Sequence, residues 1–339
     1  MNFGYVIDLK NRPGIVNTAS VVGKEESKGP LNSMFDVMYP DDGILSKSWE
    51  AAESSLVLEA VELLMNKSAV QPSDIDMILG GDLLNQCTAT VFGIKKFGIP
   101  FAGLYGACST FALALCLCAV LVDGGYAENC VAVASSHFCG AEKQFRMPLE
   151  YGGQRAQTAQ RTVTGAGACL VSDIDTRVRI EKVMIGKICD MRVNDPANMG
   201  AAMAPAAYKT LSDFLRQTSS APSDYDMLLT GDLGTVGSGI LRSLFRENDG
   251  VDIAEKHYDC GNMIYDPIEQ DVHAGGSGCG CSASVVCSKI FRDMCAGKLK
   301  KVLFAGTGAL MSPLTTMQKE SIPGIAHAVL LTTEENNEQ

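Results

Sequence analysis

The sequence predicts an α/β fold of two pseudo-symmetric halves, and three observations point to it. First, a ten-residue pattern occurs twice. Residues 74–83 read Asp-Ile-Asp-Met-Ile-Leu-Gly-Gly-Asp-Leu and residues 224–233 read Asp-Tyr-Asp-Met-Leu-Leu-Thr-Gly-Asp-Leu, each an acidic turn, an apolar strand and a Gly-Asp loop. Second, Cys108 and Cys279 each open a helix-like segment that closes in a turn and a strand. Those strands, Val131–Ala134 and Val302–Ala305, both begin 23 residues after their cysteine, an interval that three to four helical turns and a turn would fill. Third, short apolar strands alternate with helical segments, which implies parallel pairing through right-handed crossovers.

Taken in order, Trp49 to Leu64 is a helix with Leu56, Ala60, Val61 and Leu64 on its apolar side and Glu50, Glu53 and Glu62 on its polar side. The first Gly-Asp strand follows, then the Cys108 helix. Residues 104–122 approach the length of a membrane span, but Gly106, Ser109 and Thr110 at the start and Asp123 at the end favour a helix buried on all sides. After the strand at Val131 comes a polar insertion, 142–161, carrying Arg146, Arg155 and Arg161. The halves join near Ser172 to Arg179, which divides the chain into 1–175 and 176–339. In the second half Ala201 to Leu215 takes the part of the first helix, and Ser219 to Ser223 is its loop.

Composition limits the function classes. The chain has 339 residues, 46% hydrophobic and 20% charged, with a net charge of -11. That charge repels nucleic acid and anionic bilayers, so no nucleic-acid partner is expected and any bound anion must meet a local site. Thirteen cysteines, an odd number with no signal peptide ahead of them, read as reduced thiols in a cytosol-like compartment, and without a membrane span a soluble protein is expected. The pairs Cys116/Cys118 and Cys279/Cys281 lack the spacing and histidines of a zinc site, and no metal is expected. Neither G-x-G-x-x-G nor G-K-[ST] occurs, which removes dinucleotide and P-loop nucleotide readings.

The chemistry concentrates around Cys108. A thiol at a helix N-terminus faces free N–H groups, which favour thiolate and also suit a carboxylate ligand. The pseudo-twofold aims a second N-terminus, at Cys279-Gly280, toward that of Cys108-Ser109. Asp232 lies in a Gly-Asp-Leu-Gly loop, where a turn residue is the plainer reading, as for its twin Asp82. Of the four histidines, His273 stands before a glycine pair and His137 at the end of a strand where α/β folds place ligands, whereas His257 and His327 lie in strand-like runs. The three arginines of the insertion are candidate carboxylate contacts.

These motifs carry a resemblance. Gly106-Ala-Cys-Ser-Thr before an apolar helix is similar to the nucleophile segment of thiolases and ketoacyl synthases. Thr164-Gly-Ala-Gly-Ala168 resembles the Asp-Gly-Ala-Gly-Ala strand of type III ketoacyl synthases. Gly278-Cys-Gly-Cys-Ser-Ala-Ser284 stands where they have Gly-Asn-x-Ser-Ala, and Gly306-Thr-Gly-Ala-Leu310 resembles their closing hairpin. The implied fold is thiolase-like, two pseudo-symmetric halves layered α-β-α-β-α. Gly29-Pro30, Trp49 to Glu53, Phe145 to Gln160 and Asp271 to Gly278 resemble more closely the stage V sporulation protein AD family of spore-forming bacteria. That resemblance implies a protein that binds pyridine-2,6-dicarboxylate (dipicolinate), with calcium left open as its companion. It also implies a part in moving this compound into the forespore, at its membrane and beside membrane proteins of the same operon. A homodimer is implied too, with the strand near Val131 extending a shared sheet.

Departures from the enzymes bear on activity. The histidine of a ketoacyl synthase falls on the loop holding Asp232, its asparagine falls on Cys279, and a thiolase's second cysteine has no counterpart in 306–311. Without those donors and acid–base groups, carbon–carbon chemistry is not expected. The resulting expectation is a non-catalytic protein with no cofactor, whose ligand-binding residues are Cys108, Ser109, His137, Arg155, Asp232, His273 and Cys279. The rival readings are an acyltransferase using Cys108 with His273, and a scaffold with a vestigial pocket.

Overall fold

The computed structural model describes residues 5–44, 46–145 and 155–333. The first half contains β1 (Val6–Asp8), β2 (Gly14–Val22), β3 (Val37–Met38), α1 (Trp49–Ser68), β4 (Met77–Gly81), α2 (Thr88–Ile94), β5 (Phe101–Gly103), α3 (Thr110–Asp123), β6 (Asn129–Ser136), α4 (Phe138–Phe145), β7 (Arg161–Thr162) and β8 (Gly165–Ser172). The second contains β9 (Val178–Met184), α5 (Met199–Gln217), β10 (Met227–Thr230), α6 (Gly234–Asp249), β11 (His257–Asp259), α7 (Cys260–Met263), β12 (Gly276–Ser277), α8 (Cys279–Val285), α9 (Phe291–Cys295), β13 (Lys301–Ala309), α10 (Pro313–Met317) and β14 (Gly324–Thr333).

The main sheet runs β11-β10-β13-β14-β9-β2-β8-β6-β4-β5. Read outward from the β9–β2 seam, both sides repeat one plan. The pairs β2–β8 and β8–β6 are antiparallel and β6–β4 and β4–β5 parallel. Likewise β9–β14 and β14–β13 are antiparallel and β13–β10 and β10–β11 parallel. The expectation of parallel pairing therefore holds for three strands of each half. The return strands β8 and β14 run against their neighbours because no long helical crossover precedes them. The seam itself is short, joining only Gly14 to Arg179 and Ile15 to Val178.

Helices α1 and α2 cover one side of the first half-sheet, α5 packs outside β13 and β14 with α6 against it, and α3 and α8 lie between the two half-sheets. Each layer encloses its own apolar core: Leu56, Val61 and Ile78 under α1, Leu211 and Phe214 under α5, and Phe111, Leu115 and Val285 around the central pair. Helix α3 is buried almost all round, as its composition suggested. No helix among the described residues is long and apolar enough to cross a membrane.

Two expectations need correction. Val131 lies on β6, which is hydrogen-bonded on both sides, to β4 and to β8, so that strand has no edge to offer a second chain. The edge of the first half is β5. Glu53 does not lie on a polar face of α1: it is 1% exposed, and its Oε1 accepts the Ser135 hydroxyl at 2.9 Å.

Candidate functional site

Cys108 sits in a turn between β5 and α3 that satisfies itself. Ser109 Oγ donates to Gly106 O at 2.6 Å, Thr110 Oγ1 donates to Ala107 O at 2.7 Å, and Gly106 N–H donates to Thr110 Oγ1 at 3.0 Å. The Ser109 hydroxyl is thus spent inside the turn. Ala107 takes a φ of 49° to make it. The β13 hairpin presses directly on this turn, since a Cβ on Gly308 would lie 2.4 Å from Gly106 O. From the other half, Cys279 Sγ donates to Ala107 O at 2.9 Å, so the starts of α3 and α8 meet as the pseudo-twofold implied.

Asp232 lies behind Cys108, 1% exposed. Its Oδ2 accepts the Gly278 N–H at 2.9 Å, its Oδ1 accepts the Thr307 hydroxyl at 2.7 Å, and its own N–H donates to Thr307 Oγ1 at 3.0 Å. Burial pushes its pKa up to about 7, and the neighbouring Cys108 thiol opposes that rise. The Cys108 thiol in turn is held well above the ordinary thiol range, first by burial and then by the charge of Asp232. The expectation that the helix start would favour thiolate is overturned, because desolvation and a neighbouring carboxylate outweigh the helix N-terminus. The twin aspartates also part company. Asp82 turns inward to its own segment, accepting from Leu84 N, Thr90 N and Thr90 Oγ1, whereas Asp232 ties together loops from three parts of the chain.

Above Cys108 lies a small cleft of about 30 Å³, narrower than a typical small-molecule site. Its walls are Leu83, Tyr105, Phe145, Met199 and Met311, and its polar groups are the Cys108 thiol, Thr162, Ser277 and Glu142. The hydroxyls and the thiol can donate to an acceptor that enters between the apolar walls. The surroundings are electronegative. Burial raises the pKa of Glu53 well above the carboxylate range, with the charge of Asp82 adding to it, and Asp82, Glu53 and Asp232 all raise the already desolvated thiol of Cys279.

Other candidates lie apart from this cleft. His137 is clamped by Asp42, whose carbonyl is 2.7 Å from Nε2, and stacks on Trp49 at 5.6 Å; burial lowers its pKa. His273 and Arg155 meet each other's loops: His273 Nδ1 lies 2.8 Å from Ala156 O and its Nε2 3.0 Å from Asp271 Oδ1, while Arg155 Nη2 donates to Asp271 O at 2.7 Å. Both residues fasten segment 155–163 to segment 271–277. Arg161 lays its guanidinium on the Phe138 ring at 3.9 Å, on the opposite side of β7 from Thr162. Arg146 lies outside the described residues. Sequence reasoning missed Thr307, Ser277 and Glu142. Thr307 was within reach, as the hydroxyl inside a Gly-Thr-Gly hairpin already singled out.

Comparison with known proteins adds the following. Residues 5–332 match the family described as Stage V sporulation protein AD. The chain is 45% identical over 319 residues to stage V sporulation protein AD of Bacillus subtilis (strain 168), covering 94% of each. Among solved structures it is similar to 3-oxoacyl-[acyl-carrier-protein] synthase III of Aquifex aeolicus, at 13% identity and a TM-score of 0.58 over 94% of this chain and 99% of that one. It is also similar to the Acat5 thiolase of Ascaris suum, at 13% and 0.58 over 95% and 100%. A third is OleA of Xanthomonas campestris, at 13% and 0.59 over 96% and 100%. Identities this low carry the thiolase-like fold and nothing further.

Proposed function

The chain belongs to the stage V sporulation protein AD family, and from that premise we propose that it binds dipicolinate in the cleft above Cys108 and takes part in its uptake into the developing spore, without catalysing a reaction. One observation carries the reading: a small cleft reaches down to the Cys108 thiol, and that thiol is disarmed. A nucleophilic cysteine needs its thiolate and a base to make it. Cys108 instead is buried beside a carboxylate whose charge pushes its pKa further up. Such a floor can hydrogen-bond a ligand but offers it no nucleophile.

On this reading the Leu83, Phe145, Met199 and Met311 side chains part to admit the pyridine ring, with a carboxylate toward the Cys108 thiol and the hydroxyls of Ser277 and Thr162. Ser109, spent in its own turn, Cys279, bonded to Ala107, and the loop-fastening pair Arg155 and His273 then support the cleft without touching the ligand. The protein works at the forespore membrane beside membrane proteins of its operon, and a second copy pairs along β5. Calorimetry with dipicolinate tests the reading: a saturable heat supports it, and its absence removes it. Incubation with acyl-CoA followed by intact-mass measurement tests the silence of Cys108, since a thioester adduct there would restore the enzyme reading.

A further inference from the structure

We propose that Asp232 acts as the charge gate of the cleft floor, so that binding an anionic ligand draws one proton onto its carboxylate. The inference rests on dipicolinate occupying the cleft above Cys108. Asp232 is a positioning residue here: it does not line the cleft itself but holds the Gly278 N–H next to Ser277 of the lining, and its charge acts on the Cys108 thiol at the floor.

The geometry sets the charge balance. The titratable groups facing Asp232 are Cys108 from the turn before α3, Cys279 and Cys281 from α8, Cys260 from α7 and Asp259 from the end of β11. These are thiols and one further carboxylate. The donors to its carboxylate, Gly278 N–H and the Thr307 hydroxyl, are neutral, and the amide of Gln160 donates to its backbone carbonyl rather than its side chain, at 2.6 Å. A buried carboxylate with no cation against it among the described residues sits near the balance between its two protonation states, consistent with a pKa raised to about 7. A ligand carboxylate arriving at the same thiol places a second negative charge close by in a water-poor setting. Like charges so placed favour protonation of one of them.

The proton also changes what Cys108 offers. An ionised Asp232 accepts the thiol S–H and turns the sulfur lone pairs toward the cleft, facing the ligand with an acceptor. Once protonated, Asp232 donates its O–H to that sulfur, and the S–H is released to donate into the cleft. One proton therefore removes a repulsive charge and converts the floor from acceptor to donor. Nothing is oxidised and no covalent bond to the ligand forms. The proton comes from solvent and returns to it when the ligand leaves.

Calorimetric titration of dipicolinate from about pH 6 to about pH 8.5, in two buffers of different ionisation enthalpy, tests this. Both ligand carboxyls stay ionised over that range, so the change reports the protein. The wild type should weaken by about tenfold per pH unit once above the Asp232 pKa, until the shift imposed by the ligand is exhausted. Its binding heat should differ between the buffers by the uptake of up to one proton. Asp232→Asn keeps an acceptor for Gly278 N–H and a donor for Thr307 Oγ1, and should bind with an affinity flat in pH and no proton uptake. Thr307→Val, which strips a donor from the ionised form, should move the inflection to higher pH and keeps the test open if the asparagine variant does not fold. A wild type flat in pH, or Asp232→Asn keeping the wild-type profile, overturns the gate alone. No binding at any pH overturns the ligand reading and the gate with it.

Discussion

The Thr307 hydroxyl and the Asp232 carboxylate meet at 2.7 Å although 75 residues separate them, one on the closing hairpin and one on a Gly-Asp loop. The same hydroxyl accepts the Asp232 N–H, so Thr307→Val strands two buried groups and should cost about 2 kcal/mol in urea unfolding. The cost depends on pH. The pKa of Asp232 is raised in the fold, so the folded state holds a proton that the unfolded state has released, and ionising Asp232 lowers stability progressively from about pH 4 until about pH 7. Thr307 offsets part of that loss only where Asp232 is ionised. The deficit of Thr307→Val should therefore be larger near pH 8 than near pH 5, and equal deficits at both would show that the hydroxyl does not bear on the charge.

Glu53 gives a second prediction. It is buried, its Oε2 has no hydrogen-bond partner among the described residues, and burial holds its carboxyl in the neutral form, with Asp82 reinforcing the effect. Glu53→Gln keeps the shape and an acceptor for Ser135 without a proton to lose, so it should be neutral or stabilising near pH 8. Glu53→Lys places an unpaired cation in the same space and should abolish folding or cost over about 3 kcal/mol. Thermal unfolding of the two variants checks both signs, and a strongly destabilised glutamine variant would mean that Glu53 is ionised in the fold.

Much of this architecture was legible before any coordinates. The repeated Gly-Asp strands became β4 and β10, and the equal intervals after Cys108 and Cys279 became α3–β6 and the α8–α9 segment leading to β13, because a strand and a crossover helix set both spacings. Strand direction was less legible. Periodicity reports which face is buried, but it is silent on whether β8 and β14 return antiparallel. The site divided in the same way. Cys108, Cys279 and Asp232 converge because they stand at loop positions that the pseudo-symmetry brings together. His273 and Arg155 looked like ligand groups from chemistry alone, yet their partners are the carbonyls of Ala156 and Asp271, which no residue pattern marks. Glu53 was assigned to the polar side of α1 because a glutamate is rarely buried, and the Ser135 hydroxyl that donates to it lies 82 residues away.

A third prediction concerns thiol reactivity. Cys139 and Cys295 are half-buried and the other eleven cysteines buried, Cys108 among them. Alkylation needs both access and thiolate, and Cys108 is short of both. Under native conditions near pH 8, iodoacetamide should label Cys139 and Cys295 before Cys108, as read by peptide mass spectrometry. Preferential labelling of Cys108 would mark it as an activated nucleophile and undo the disarmed-thiol reading.

The loop that carries Asp232 is itself held by a directed chain of hydrogen bonds, and breaking it is the fourth prediction. Arg242 Nε donates to His257 Nδ1 at 3.2 Å, which leaves the ring proton on Nε2 to point at Thr230 Oγ1, 2.9 Å away. The Thr230 hydroxyl then donates to Asp259 Oδ2 at 2.7 Å, and Asp259 accepts Leu233 N–H at 2.8 Å and Gly234 N–H at 3.0 Å, the two residues after Asp232. Burial lowers the pKa of His257 to about 3, so its ring is neutral, and raises that of Asp259 to about 6, with the Thr230 hydroxyl and the Leu233 and Gly234 amides opposing the rise. Thr230→Val has nearly the same shape and removes the link alone, leaving a buried imidazole donor and a carboxylate oxygen each short of a partner. A loss of about 3 kcal/mol in denaturant unfolding is expected, with faster hydrogen exchange at the Leu233 and Gly234 amides than at β13. A loss below about 0.5 kcal/mol with unchanged exchange would show that the chain of bonds does not set the loop.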